Sequence, residues 1–102
     1  MIKSLGLCYV AKKCLLGDSI LDKLKSGQVQ LILVSKAASQ NTKKRYHDKS
    51  DFYHIELIEL QNDDIALSIG KPSVKVIGIT DSGFCKLIKE EIKNGELQLQ
   101  KQ

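Results

Sequence analysis

The apolar residues of this chain follow two patterns: the three-to-four-residue spacing of amphipathic helices and the short continuous runs of buried strands. Helical spacing predicts five helices, which begin near residues 2, 18, 39, 63 and 81 and end near residues 13, 27, 53, 70 and 94. Short apolar runs predict strands at residues 14–16, 31–34, 55–60 and 74–79. Helices and strands therefore alternate along the whole chain.

Helix-capping residues support several of these boundaries. Gly17 breaks the chain, and Asp18 or Ser19 can cap the helix that follows it. Gly27 suits the left-handed position that ends the same helix. The pair Asn94–Gly95 predicts the end of the last helix.

The run Leu31–Val34 is apolar on both faces, which is typical of a central strand covered by helices on both sides. The alternation of elements then predicts an α/β protein, a three-layer α/β/α sandwich with a mixed four-stranded sheet. We expect a single domain over residues 1–95, followed by a polar tail at residues 96–102.

Composition agrees with one globular domain, because the 102 residues are 42% hydrophobic and 27% charged. The net charge of +4 understates the asymmetry of the chain. Residues 1–50 carry ten Lys and Arg against three Asp, a net +7, whereas residues 51–102 carry six against nine, a net −3. This division favours a polyanionic partner, with nucleic acid ahead of a membrane surface.

The three cysteines, Cys8, Cys14 and Cys85, lack metal-site spacing and lie among apolar neighbours. We interpret them as buried thiols of a reducing, cytoplasmic protein. The apolar run at the N-terminus is too short for a signal peptide, and no stretch approaches the roughly 20 apolar residues of a spanning helix. Neither export nor membrane insertion is expected.

Common catalytic and nucleotide-binding motifs do not occur in the sequence. His47 and His54 would need further ligands to hold a metal, and Asp63–Asp64 point about 100° apart on a helix, which favours capping over acid–base chemistry. Cys85 lies on the apolar side of its helix and is expected in the core. We therefore expect no catalytic residue, no metal site and no cofactor.

Basic residues remain as the candidate binding groups. They lie in loops and at element starts: Lys12, Lys13, Lys36, Lys43, Lys44 and Lys71. If the strand ends at residues 16, 34 and 79 share one side of the sheet, their loops converge there. Lysines would contact phosphates, and the amides after Gly17 would meet base edges or sugars, because Asp18 opposes phosphate binding.

The order and spacing of several short motifs resemble those of the small bacterial YlxQ-type proteins of the kink-turn-binding ribosomal protein superfamily. The similar strings are Leu5-Gly6-Leu7-x-x-x-Ala11-x-Lys13-x-x-x-Gly17, Lys23-x-x-x-Gly27-x-x-x-Leu31-Ile32-Leu33-Val34, Ser39-x-Asn41-Thr42-Lys43-Lys44 and Ile69-Gly70-Lys71. The resemblance covers about residues 1–93. It implies the same α/β/α sandwich and the binding of structured RNA, often a kink-turn with tandem sheared G·A pairs.

The resemblance also implies which residues contact RNA. Gly17, Asp18, Ser19 and Lys23 occupy the place of the family's RNA-entering helix, and Gly70, Lys71 and Pro72 that of the loop against a flipped-out base. Ser19 replaces an amide residue and Ile20 a carboxylate of the strict kink-turn readers.

Taken together, the sequence predicts a monomeric, non-catalytic protein that binds ribosomal or other non-coding RNA, in the cytoplasm or on the ribosome. Two alternatives remain at this stage. The first is a protein-interaction adaptor that kept the fold and lost kink-turn binding. The second is a component of RNA modification, because the fold that the resemblance implies also occurs as the substrate-binding part of RNA methyltransferases.

Overall fold

A computed structural model describes residues 1–62 and 64–100. Its elements, in chain order, are α1 (Lys3–Val10), β1 (Cys14–Leu16), α2 (Asp18–Leu24), β2 (Leu31–Val34), α3 (Gln40–Tyr53), β3 (Glu56–Glu59), α4 (Asp64–Ile69), β4 (Val76–Ile79) and α5 (Ser82–Gln100). The predicted alternation and the mixed four-stranded sheet are confirmed. No helix in the described ranges combines the length and apolarity needed to cross a membrane.

The strand order across the sheet is β1-β4-β2-β3. Strand β2 runs parallel to β3, whereas β4 runs antiparallel to both β1 and β2. Val34 at the end of β2 therefore pairs with Val76 at the start of β4, and Cys14 at the start of β1 pairs with Ile79. The prediction that residues 16, 34 and 79 share a side is wrong, because β4 ends at the opposite edge.

Each face of the sheet has its own apolar core. Leu31 and Leu33 of β2 belong to the core under α1, α4 and α5, while Ile32 and Val34 belong to the core under α2 and α3. All four residues of β2 are buried, as predicted for a central strand. Helices α2 and α3 both begin at the edge where β1 and β2 end, so their N-termini lie at the same end of the molecule.

Two of the predicted helix ends are confirmed by backbone geometry. Gly27 adopts the left-handed conformation with φ +74°, and Ser39 caps α3 by accepting a hydrogen bond from the Thr42 amide at 3.2 Å. The start of α2 differs from the prediction of a cap at Asp18 or Ser19, because Gly17 is the N-cap and Asp18 is already the first helical residue.

The two ends of the chain also differ from prediction. Helix α1 ends at Val10, and the chain then passes through a left-handed Lys12 at φ +59°. Helix α5 continues through Gly95 to Gln100, so the helix stop predicted at Asn94–Gly95 is wrong. A glycine in a helix costs only about 1 kcal/mol relative to alanine, which does not by itself end one. The proposed cap Asp63 and residues 101–102 lie outside the described residues.

Candidate nucleic-acid interface

One edge of the sheet brings together most of the predicted site. Strands β1, β2 and β3 end there and β4 begins there, so the loops after β1 and β2 meet the loop before β4. We name this surface the basic edge and define it by its exposed or half-buried lysines, Lys36, Lys43, Lys44 and Lys71. The turn Gly17–Asp18–Ser19 and the loop Gly70–Lys71–Pro72 lie at the same edge.

A glycine turn and a tyrosine shape the middle of the basic edge. Gly17 has φ +59° and ψ −138°, a conformation that is costly for residues with a side chain. The hydroxyl of Tyr46 on α3 donates a hydrogen bond to the Gly17 carbonyl oxygen at 3.4 Å. Burial raises the pKa of Tyr46, so the phenol keeps its proton as a donor. Tyr46 thus ties α3 to the turn.

A groove of about 420 Å³ opens beside this turn. Its walls come from the end of β1, from α3 and from the segment before β4; the lining residues are Leu16, Gly17, Thr42, Arg45, Tyr46, Ser73, Val74, Lys75 and Val76. The Lys75 ammonium donates to the Pro72 carbonyl oxygen at 3.0 Å and so braces the loop on one side of the groove.

The lysines of the basic edge differ in their partners. Lys43 is half-buried, and its ammonium lies 3.7 Å from one carboxylate oxygen of Glu59. The other carboxylate oxygen of Glu59 lies 3.3 Å from Nε2 of His47. Lys36, Lys44 and Lys71 are exposed. Because Glu59 offsets part of the positive charge of Lys43, the exposed lysines are better placed to attract a polyanion.

The structure does not place Lys12, Lys13 and Lys23 at the basic edge. The carbonyl oxygen of Lys13 accepts a hydrogen bond from the Thr80 amide at 3.0 Å, just beyond the end of β4. The two ends of β4 lie about 10 Å apart at ~3.3 Å per residue. Lys23 lies in the last turn of α2, away from Gly17. The predicted convergence of Lys12 and Lys13 with the other lysines is therefore wrong, because both residues precede β1 and so lie at the edge opposite to the one where β1 ends.

The chain resembles two curated proteins over most of its length. It is 37% identical over 91 residues to RNA-binding protein YlxQ of Enterococcus faecium, covering 87% of each chain. It is 33% identical over 87 residues to RNA-binding protein YlxQ of Bacillus subtilis strain 168, covering 82% of this chain and 87% of the relative. The chain belongs to the YlxQ family. No protein-family model matches the sequence.

Solved structures agree with this YlxQ-family fold. A Bacillus halodurans protein of unknown function, 32% identical, superposes with a TM-score of 0.82 and covers 90% of this chain and 95% of its own. A 15.5 kD RNA-binding protein of Giardia lamblia superposes with a TM-score of 0.69 at 9% identity, covering 94% and 84%. The second similarity shows the fold alone.

The cysteines of this YlxQ-family chain lie in or against the core under α1, α4 and α5. Cys8 and Cys85 are buried and Cys14 is half-buried. The thiol of Cys8 donates to the Lys13 carbonyl oxygen at 3.4 Å. A hydrogen bond to Cys14 and burial together raise the pKa of Cys8, and burial raises the pKa of Cys85. In the ranges that the structure describes, no three His, Cys, Asp or Glu side chains could hold a metal ion.

Sequence reasoning missed some residues of the YlxQ-family groove. Arg45 lines the groove, and its place in the basic run before Tyr46 is a sequence signal for it. The hydrogen bond of Tyr46 with Gly17 has no such signal, because it joins residues 29 positions apart. Lys75 belongs to the strand predicted at residues 74–79, but it lies in the segment before β4. No local sequence signal marks the Tyr46–Gly17 contact or the position of Lys75 in the groove.

Proposed function

We propose that this protein binds structured RNA through the basic edge and carries out no catalysis. The observation that carries the proposal is the topology of the basic edge, which brings the exposed Lys36, Lys44 and Lys71 to one end of the sheet. The groove beside the Gly17 turn opens at this edge, and its lining includes Arg45 and Lys75. Two relatives named RNA-binding protein, at 33–37% identity, support it. The proposed partner is a ribosomal or other non-coding RNA, free or on the ribosome, bound by a cytoplasmic monomer.

Each part of the edge has a role in this proposal. Lysine ammonium groups contact phosphates and supply affinity that falls with salt. Gly17 lets an RNA backbone approach the turn closely because it has no side chain, and the groove accepts a projecting base or sugar. RNA duplexes are recognised mainly by shape, phosphates and 2′-hydroxyls, which suits a site of lysines and a shallow groove.

The kink-turn itself is the finer part of the proposal. Ile20, at the position that resembles the carboxylate of strict kink-turn readers, is completely buried and packs against Gly78. It presents no polar atom at the basic edge. Ser19 is exposed and keeps a hydroxyl there. We therefore propose that the bent shape of a kink-turn is recognised more strongly than the base edges of its G·A pairs.

The experiment measures fluorescence anisotropy with a labelled kink-turn RNA and with a control whose G·A pairs are disrupted, at several salt concentrations. The variant Lys36→Glu/Lys44→Glu is expected to weaken binding. The slope of the logarithm of the binding constant against the logarithm of the salt concentration should become shallower by about one for each phosphate that the protein no longer neutralises. The matched control Lys12→Glu/Lys13→Glu, with the same change in charge at the opposite edge, should bind nearly as the wild type does.

Three results decide the proposal. Failure of the wild type to bind any structured RNA at low salt refutes it and favours the adaptor alternative. Equal weakening by both double variants shows that net charge acts, not the basic edge. Methyl-donor binding by the wild type would contradict the absence of catalysis.

A further inference from the structure

A second groove adjoins the first one at Arg45. It has a volume of about 270 Å³ and lies between α2 and α3, lined by Leu21, Asp22, Lys25, Arg45, Lys49 and Tyr53. Arg45 lines both grooves. The path from the Gly17 turn therefore continues along the surface between the two helices, away from the basic edge.

The charge of this second groove suits an anion. Lys25, Arg45 and Lys49 are exposed basic residues on its walls, and Asp22 is the one acidic residue among the lining residues described. Arg45, Lys49 and Tyr53 follow each other at four-residue spacing and so lie on one face of α3. The phosphates of an extended nucleic-acid strand along this face would meet Arg45 first and then Lys49.

An aromatic pair, the exposed Phe52 and the half-buried Tyr53, lies at the far end of the same face. Phe52 is 74% exposed and meets the ring of Tyr53 edge-to-face, with ring centroids 4.9 Å apart and ring planes at 81°. Phe52 follows Lys49 by three residues, so the two side chains are neighbours on the helix. Proteins that bind single-stranded nucleic acid stack its bases on aromatic side chains that lie beside basic residues. The exposed ring of Phe52 beside Lys49 fits this arrangement.

We propose that RNA bound at the basic edge continues as a single strand along the α2–α3 groove and stacks an unpaired base on Phe52. The proposal rests on the proposed RNA-binding function and names the additional segment that is bound. From Thr42 to Phe52 the helix rises about 15 Å at ~1.5 Å per residue. That length accommodates about four stacked nucleotides at ~3.4 Å each.

The groove favours a single strand over a duplex for a chemical reason. Bases within a duplex are already stacked on each other, and only an unpaired base can leave its strand to stack on a side chain. Asp22 in the groove and Asp48 beside Lys49 on α3 reduce the attraction for phosphates. We therefore assign the specificity of this segment to base stacking and only part of its affinity to charge.

The test compares one structured core RNA with the same core carrying five unpaired uridines at its 5′ or its 3′ end, by fluorescence anisotropy. Wild-type protein is expected to bind one extended RNA at least about five-fold more tightly than the core, the lower limit for one stacked base. Phe52→Ala should abolish that gain and leave core binding unchanged. Leu87→Ala removes a similarly exposed apolar side chain from α5 and is the matched control.

The outcomes separate this proposal from the proposed function. Core binding without any gain from either extension overturns this proposal and leaves the proposed function intact. A gain that survives Phe52→Ala overturns base stacking, and loss of core binding in Phe52→Ala with an unchanged thermal melt overturns the separation of the two sites. If a labelled oligo-aspartate peptide binds and neither extension tightens RNA binding, the groove binds an acidic protein segment and this proposal is overturned. No core binding by the wild type overturns both proposals.

Discussion

Glu91 of α5 caps the first turn of α1, and replacing it is the sharpest test of how the layer under α1 is held. Its carboxylate accepts three hydrogen bonds: from the Lys3 amide at 2.6 Å, the Ser4 amide at 3.0 Å and the Ser4 hydroxyl at 2.8 Å. Ile2, the N-cap of α1, makes no side-chain cap bond. A residue 87 positions away therefore does what a local Ser or Asp usually does.

The cost of Glu91→Ala follows from these contacts. Loss of a helix cap costs about 0.5–2 kcal/mol, and Ser4, which is 8% exposed, would keep a buried hydroxyl without its acceptor at a cost of about 1–3 kcal/mol. We expect the free energy of unfolding to fall by about 2–4 kcal/mol. Glu91→Gln keeps an acceptor oxygen but loses the negative charge near the helix N-terminus, and should cost about 1 kcal/mol.

The pH dependence identifies the ionised cap. Partial burial by itself raises the pKa of Glu91, but the bonds from Ser4 and Lys3 outweigh burial and hold that pKa below its usual value. A lowered pKa in the folded state stabilises the fold above the unfolded pKa of about 4.3, and this stabilisation is lost as pH falls through the folded pKa. The difference in stability between wild type and Glu91→Gln should therefore shrink at pH 3.

Urea denaturation followed by circular dichroism at pH 7 and pH 3 measures these differences. Glu90→Ala, an exposed change at the next position of α5, is the control and should alter stability by less than about 0.5 kcal/mol. The reasoning is refuted if Glu91→Ala is no less stable than Glu90→Ala. It is also refuted if the gap between wild type and Glu91→Gln is as large at pH 3 as at pH 7.

Two further predictions concern backbone positions. Lys12 adopts a left-handed conformation after α1, so Lys12→Gly should raise the free energy of unfolding by about 0.5–1 kcal/mol; a gain no larger than that of Lys13→Gly would contradict this. A Cβ on Gly6 would lie 2.9 Å from the Ser68 carbonyl oxygen, whereas one on Gly95 meets open space. Both glycines are in helices, so Gly6→Ala should be about 1–3 kcal/mol less stable than Gly95→Ala in urea, and equal stabilities would show that α1 and α4 separate easily.

Sequence patterns predicted the elements because burial and periodicity are local properties. Leu31–Val34 could be identified as the central strand from its four apolar residues, and Ser39 as a cap from its position before a polar helix. The direction of β4 was not predictable in the same way. Its residues fit a strand parallel or antiparallel to β2 equally well, and the pairing of Val34 with Val76 is decided by how α4 and the loop after it return the chain.

The direction of β4 decided at which edge Lys71 lies, whereas the positions of Lys36 and Lys13 follow from β2 and β1. Lys36 and Lys71 are at the basic edge because one follows β2 and the other precedes an antiparallel β4. Lys13 precedes β1 and therefore lies at the opposite edge beside Thr80. The contact between Lys43 and Glu59 was also invisible in sequence, because it depends on β3 lying parallel to β2 at the margin of the sheet.

Segregation of charge along the sequence is thus a different property from segregation of charge in space. The basic first half of the chain divides between two ends of the molecule, and the α2–α3 groove runs between them. An RNA strand that leaves this groove at Phe52 emerges at the end where α2 and α3 terminate, the end that also holds Lys23 and Lys13. Lys12→Glu/Lys13→Glu is consequently a neutral control only for core RNA. With the unpaired extension it should weaken binding modestly and in a salt-dependent way, whereas Phe52→Ala should weaken it at every salt concentration, because stacking is not screened by ions.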